Sequence, residues 1–209
     1  ECIRSLGMQS RLNPAYRDMA VNLPDGRLLC GTPGQNAPVA SRPWFQEALR
    51  DRELVVGRLS QGTKGEGGRL PLAMSVRGQD GKVKSIISMT LDVSQLSDIL
   101  DDQTLPEGAA VTIIDKHGVI VARYPKAPSS VGRAAPQAEG FLPELMANGQ
   151  SSWESAGLDG VRRVYFLAPL LQHREHGLYL RIGMPTDTVF ASARAELARN
   201  LMLLAGMAC

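Results

Sequence analysis

His173 and His176 stand three residues apart in the run QHREH (172–176), a spacing at which two imidazoles could hold a metal ion. The polar, irregular setting just before Gly177 instead reads as a solvated hairpin loop, and no metal site is expected. The glycine-rich run GTKGEGG (62–68) contains a lysine but no Gly-Lys-Ser/Thr and opens no helix, so it reads as a hairpin loop and not as a phosphate cradle. His117 falls in a turn, and Asp101-Asp102 end a helix in solvent. No local motif pairs a nucleophile with a base, and the chain is expected to have no catalytic activity and no cofactor. The three cysteines, Cys2, Cys30 and Cys209, are too few and too scattered for a disulfide framework or a zinc site. A Cys2–Cys30 bridge is compatible with an oxidising compartment, but no spacing motif supports pairing, and unpaired thiols are the expected state.

The elements that could position a binding site are legible in the chain of 209 residues. Residues 3–12 form a weakly helical lead-in, broken by Asn13-Pro14. Tyr16 to Leu23 reads as a strand, Pro24-Asp25-Gly26 as a tight turn and Arg27 to Gly31 as the returning strand. Ser41 is placed as the N-cap of a helix with Pro43 in its first turn and Phe45, Ala48 and Leu49 on one face. Strands follow at Leu54–Leu59, Leu70–Val76 and Val83–Leu91, and then a short helix capped by Ser94.

The same order then repeats. Strands are expected at Ala110–Ile114 and Val119–Tyr124 around a turn at Asp115–Gly118. A helix around Phe141–Ala147 ends at Asn148-Gly149, and strands follow at Ser151–Ser155, Val161–Leu170 and Gly177–Met184. Gly26 and Gly118 are 92 positions apart, while Leu72-Ala73 with Leu167-Ala168 and Ile87-x-Met89 with Ile182-x-Met184 are 95 apart. Each unit reads β-β-α-β-β-β, an antiparallel sheet with one face on a helix that can leave a cup between sheet and loop.

Lys+Arg is 23 and Asp+Glu 21, a balance of +2 that argues against a nucleic-acid partner. Residues Leu201 to Cys209 carry no charge, and this stretch is expected to be the first part of a transmembrane helix. Phe190, Ala193, Leu197, Leu201 and Leu204 recur at steps of three and four, the spacing of a helix–helix seam. A homodimer paired along that helix is therefore expected.

The run VNLPDGRLLCGTPG (21–34), the segment SRPWFQEAL (41–49) and the hairpin ending KSIISMTLDVSQL (84–96) resemble the first module of a double Cache sensor domain. VTIIDKHGVIVARYP (111–125) resembles the start of its membrane-proximal half. The resemblance implies an α+β fold of two tandem PAS-like modules, antiparallel five-stranded sheets with inserted helices. The expected divisions are the end of an N-terminal helix at 1–14, a membrane-distal module at 15–103, a membrane-proximal module at 104–188 and a C-terminal helix leading to the membrane at 189–209. It implies a periplasmic domain anchored in the inner membrane through flanking helices, with a diguanylate cyclase or histidine kinase as output.

The resemblance also implies a small-molecule ligand in the distal module, with Arg42 and Trp44 as contacts and Phe45 in the same segment. A guanidinium offers a rigid fork of donors to a carboxylate, and an indole offers an apolar wall with one N–H. The alternative is that Arg42 pairs with a local carboxylate and Trp44 is core. Where amino-acid-binding members carry Tyr and Asp, this chain has Leu59-Ser60-Gln61, and where they hold the amine with Asp, it has Thr90. An ammonium group would be poorly compensated there, so a carboxylate-bearing or uncharged ligand is expected, met by Gln61, Ser88 and Thr90. The rival expectation is a ligand-independent dimerisation or spacer module, or a docking site for a periplasmic partner protein.

Overall fold

A computed structural model of the chain describes residues 1–33, 38–60, 68–101, 105–138, 140, 142–143, 145, 151–170 and 177–189. Gln61, the 62–67 part of the glycine-rich run, Asp102, the helix end at Asn148-Gly149, His173, His176, Cys209 and the seam from Phe190 to Leu204 lie outside the described residues.

The elements run α1 (Cys2–Leu12), β1 (Tyr16–Asn22), β2 (Leu28–Gly31), α2 (Pro43–Arg50), β3 (Val55–Val56), β4 (Arg69–Arg77), β5 (Val83–Asp92) and α3 (Val93–Asp101). The second half contributes β6 (Ala110–Asp115), β7 (Ile120–Tyr124), a 3-10 turn at Pro128–Ser130, β8 (Ser151–Ala156), β9 (Arg162–Pro169) and β10 (Leu178–Pro185). They form two antiparallel five-stranded sheets of identical topology, β2-β1-β5-β4-β3 and β7-β6-β10-β9-β8. The fold is the α+β tandem arrangement that the sequence implied.

The turn glycines begin each sheet in the same way. Gly26 and Gly118 have φ of 89° and 75°, a region open to glycine at no steric cost. A Cβ on either would also strike an alanine methyl, Ala40 at 2.7 Å and Ala138 at 2.4 Å. Asp25 and Asp115 tighten the turns by accepting backbone N–H bonds from Arg27 and from His117 and Val119.

With the turns aligned, the last strands match at a different offset from the expected 95. Ser88 lies opposite Ala20, and Arg181 lies opposite Thr112, so Arg181 takes the place of Ser88, 93 positions earlier. Ile182 therefore matches Met89 and not Ile87. A two-residue slip keeps every side chain on its own face, which is why the sequence pattern survives it.

Three local expectations are corrected. The helix after the long loop starts at Pro43 with Arg42, not Ser41, at the N-cap position, and no side chain caps it. The α3 helix follows β5 without a break, and its cap is Asp92, whose Oδ1 accepts bonds from the Ser94 amide at 3.1 Å and hydroxyl at 2.6 Å. The strand expected over Leu54–Leu59 pairs only at Val55–Val56. Gly57 N–H still donates to the Pro71 carbonyl at 2.8 Å, but Pro71 has no N–H to return.

The expectation of unpaired thiols is also overturned. Cys2 and Cys30 form a disulfide that ties α1 to β2, with Cα atoms 6.3 Å apart. The pairing depends on α1 folding back along the sheet edge, a tertiary contact that no sequence spacing announces. No residue of α1 is buried, so the bridge is its main anchor. Among the described residues, no helix is long and apolar enough to cross a membrane.

The core of the first half sits between α2 and the sheet, where Phe45, Ala48, Val55, Ala73 and Ile86 pack together. A matching cluster in the second half gathers Ile114, Ile120, Leu145, Leu167 and Tyr179. Between them, Val56, Leu70, Leu72, Leu91 and Val93 merge with Ile113, Val121, Ala122 and Leu178 in one apolar cluster shared by both halves.

Candidate functional site

The α2 face of the first sheet, where the sequence placed a cup, carries small residues along β5 and its neighbours. Ile86 packs against α2 in the core, and strand alternation puts Ser88 and Thr90 on the same face, further along β5. Ser88 lies between Ala20 and Ala73, and Thr90 lies beside Pro71. Two hydroxyls are thus set in a floor of alanine and proline.

Trp44 stands at the start of α2. Its position is fixed from two sides: its ring meets Phe45 edge-on at 5.9 Å and 78°, and its Cβ and Cδ1 lie over Gly57. A Cβ on Gly57 would stand 3.0 Å from the Trp44 Cβ and 3.2 Å from the Pro71 Cβ. Gly57 is therefore needed for the close approach of Trp44, and Pro71, the strand partner of Thr90, crowds the same side of it. The sequence reading missed both; Gly57 in a strand pattern next to an aromatic helix start was the available signal.

The predicted residues are brought together unequally. Ser88 and Thr90 lie on the α2 face of the sheet, and Trp44 packs partly buried against the core of the first half, the alternative weighed for it. Phe45 is fully buried in the core behind it, with no exposed surface of its own. Arg42 is exposed at the start of α2, and its backbone carbonyl accepts the first helical bonds from Phe45 and Gln46. No described carboxylate pairs with its guanidinium, so the local ion pair weighed as an alternative does not form among the described residues. The other end of α2 is held by Arg77, whose Nη2 donates to the carbonyls of Leu49, Arg50 and Asp51 at 3.1–3.2 Å.

At the end of β5 the charges are already committed. Burial raises the Asp92 pKa, but bonds from Ser94 and the Arg17 guanidinium, 3.0 Å away, more than offset it and hold the carboxyl below its usual range. Asp18, at φ 51° in a bulge of β1, accepts from Arg69 at 3.4 Å. Asp92 thus caps α3 and pairs with Arg17, which leaves it poorly placed to receive an ammonium group.

A separate cleft of about 290 Å³ lies where the halves meet, lined by Arg58, Leu59, Asp115, His117, Val119 and Gly132. Lys116 bridges the same junction, donating to Glu47 of α2 at 2.6 Å.

No protein-family model matches the sequence. No curated protein matches it either. Solved structures do match its fold. The extracellular domain of rpHK1S-Z16, a protein assigned as a histidine kinase, has a TM-score of 0.68 at 17% identity, over 90% of this chain and 78% of that one. The ligand-binding domain of the Pseudomonas aeruginosa PAO1 amino acid chemoreceptor PctB, in complex with L-Arg, gives 0.61 at 14% identity, over 88% and 80%. The periplasmic sensory domain of the Campylobacter jejuni chemoreceptor Tlp1 gives 0.53 at 15% identity, over 73% and 57%. The chain therefore has the tandem-sheet fold of the extracellular and periplasmic sensory domains of histidine kinases and chemoreceptors, the fold that the double Cache resemblance implied.

Proposed function

We propose that this chain is the extracytoplasmic small-molecule sensing domain of a transmembrane signal-transduction receptor, without catalytic activity of its own. The observation that carries the reading is the fold shared with extracellular and periplasmic sensory domains, and the proposed ligand contacts in it are Trp44, Ser88 and Thr90 on the α2 side of the first sheet. The Cys2–Cys30 disulfide supports an oxidising, extracytoplasmic setting. A histidine kinase or a diguanylate cyclase is the proposed output, with modules at 15–103 and 104–188 and a C-terminal helix over 189–209 that enters the inner membrane.

Arg42 engages the ligand's carboxylate or other acceptor, Gln61 is a further proposed contact, and Trp44 covers its apolar part. A carboxylate-bearing or uncharged ligand suits the cup better than an amino acid, because Asp92 is already bound to Arg17 and Ser94. The shared apolar cluster and the Lys116–Glu47 pair give cup closure a mechanical route to the second half. A ligand can drive that route only by its differential affinity for the two states.

Ile3, Met8 and Leu12 of α1 are exposed, which favours a second copy packed along the helices and keeps a dimerisation module as the rival reading. A thermal-shift screen against carboxylates, amines, amino acids, purines and polyamines separates the two. A true ligand at 100 times its Kd adds about 2.7 kcal/mol, a shift of several degrees, and the shift disappears in Arg42→Ala. A folded protein that responds to nothing in the panel supports the dimerisation module.

A further inference from the structure

The cleft of about 290 Å³ where the halves meet is lined from both of them. Arg58 and Leu59 come from the first half, in the segment after β3. Asp115, His117 and Val119 come from the end of β6 and its turn into β7, and Gly132 comes from the loop that follows β7. Pockets that take small molecules run from about 300 to 1,000 Å³, so this cleft suits an occupant at the small end of that range.

Backbone bonds hold both sides of the cleft in place. On one side of Arg58 the Gly57 N–H donates to the Pro71 carbonyl at 2.8 Å, and on the other the Ser60 N–H donates to the Arg69 carbonyl at 2.9 Å. These bonds fasten the Arg58 segment to β4 although β3 itself has ended. Across the cleft, the Gly132 N–H donates to the Ile120 carbonyl and the Ala135 N–H to the Gly118 carbonyl, both at 2.8 Å. The Lys116–Glu47 pair ties the same turn to α2, and Leu59 packs against the apolar cluster that the halves share. Groups presented on a fixed backbone lose less freedom on binding than groups on a loose one.

The three polar side chains of the cleft are unequally committed. Asp115 is 3% exposed, and its Oδ1 accepts the N–H groups of His117 and Val119, both at 2.9 Å, so its charge is spent on the turn. Arg58 is exposed, and its guanidinium forms no hydrogen bond or ion pair among the described residues. The His117 imidazole is exposed too and makes no hydrogen bond among those residues. The uncommitted groups are therefore a guanidinium, with its planar fork of N–H donors, and an imidazole with an N–H of its own. Leu59 and Val119 add apolar surface to the same cleft.

We propose that this cleft is a second ligand site and that it takes a small organic acid. Arg58 and His117 receive the carboxylate, and Leu59 and Val119 receive the apolar body. A bound acid touches both halves and so ties the segment after β3 to the β6–β7 turn. The site draws on neither Arg42 nor Trp44 and stands whether or not those residues hold a ligand.

The ¹⁵N-labelled chain is titrated with sodium benzoate, benzylammonium chloride and sodium phosphate in turn, with sodium chloride holding the ionic strength constant. Benzoate should shift the Val119 and Gly132 amide signals saturably. Benzylammonium carries a similar ring with the opposite charge, and phosphate carries the charge without the ring, so both should bind more weakly. Arg58→Gln removes a charged donor and should weaken benzoate binding about tenfold or more, and His117→Ala should weaken it about threefold. Both side chains are exposed, so neither change threatens the fold. The proposal is overturned if benzoate fails to saturate these signals, if benzylammonium or phosphate binds as tightly, or if either variant titrates as its parent does. Shifts confined to Ser88 and Thr90 would overturn it too, by placing the acid on the α2 side of the first sheet. In the thermal-shift screen, a carboxylate held here keeps its effect in Arg42→Ala and loses it in Arg58→Gln, which separates failure of this site from failure of the first.

Discussion

Gly57 is where a single atom decides the packing of Trp44. Gly57→Ala places a methyl 3.0 Å from the Trp44 Cβ and 3.2 Å from the Pro71 Cβ, so the indole must move. Overpacking of this kind costs about 1–3 kcal/mol, and the expected result is a folded protein whose ligand-induced thermal shift shrinks. In the second half, the decisive residue is Asp159. The Arg163 bonds hold its carboxyl down to about 2 from a reference of 3.8. A depressed carboxylate contributes stability in full above the reference value and loses it as pH falls through the folded value. Urea midpoints measured from pH 5 to pH 2 should therefore drop between about pH 4 and pH 2, and Asp159→Asn should flatten that drop. At this scale the sequence was only half legible. The Arg-Pro-Trp-Phe segment pointed to α2, and Trp44 packs partly buried against the core there. Phe45 follows it immediately but turns into the core, because adjacent helical positions do not share a face. The buried arginines of the second sheet, Arg123, Arg163 and Arg181, gave no signal, since arginines in a strand pattern read as solvent-facing.

The elements were more legible than their ends. Nine of the strands were visible near their observed positions because their apolar residues alternate and their turns carry glycine at positive φ. The tenth, β3, is cut to two residues by the proline opposite it, an effect that belongs to its partner strand and not to its own sequence. The closure of α2 by Arg77 was equally hidden, since it joins residues 26 to 28 positions apart. Arg77→Ala leaves three carbonyls without that donor and should cost about 1.5–3 kcal/mol, read as a lower urea midpoint with unchanged slope. The disulfide closes a separation of 28 residues. On the chain-entropy account, removing it by Cys30→Ser should cost about 3–4 kcal/mol. The loss should appear first as faster hydrogen exchange in α1, which buries nothing else.

At the scale of the whole molecule, the two sheets share topology but not chemistry. The repeat could be counted in the sequence, while the way its halves join could not, because the shared cluster draws on outward-facing residues of both sheets. Leu70 is fully buried in that cluster. Leu70→Ala should therefore cost about 2–5 kcal/mol and lower the unfolding temperature of both halves together, seen as one calorimetric transition and not two. The same junction is the proposed route from cup to output. The claim on which it rests, that the α2 side of the first sheet is the sensing site, is tested most directly by the indole N–H signals of the uniformly ¹⁵N-labelled chain, assigned with Trp44→Phe. Any compound that stabilises the protein through Arg42 should shift the Trp44 indole signal saturably, and the shift should vanish in Arg42→Ala. A stabilising compound that leaves the Trp44 signal in place would contradict the account and move the sensing site elsewhere in the molecule.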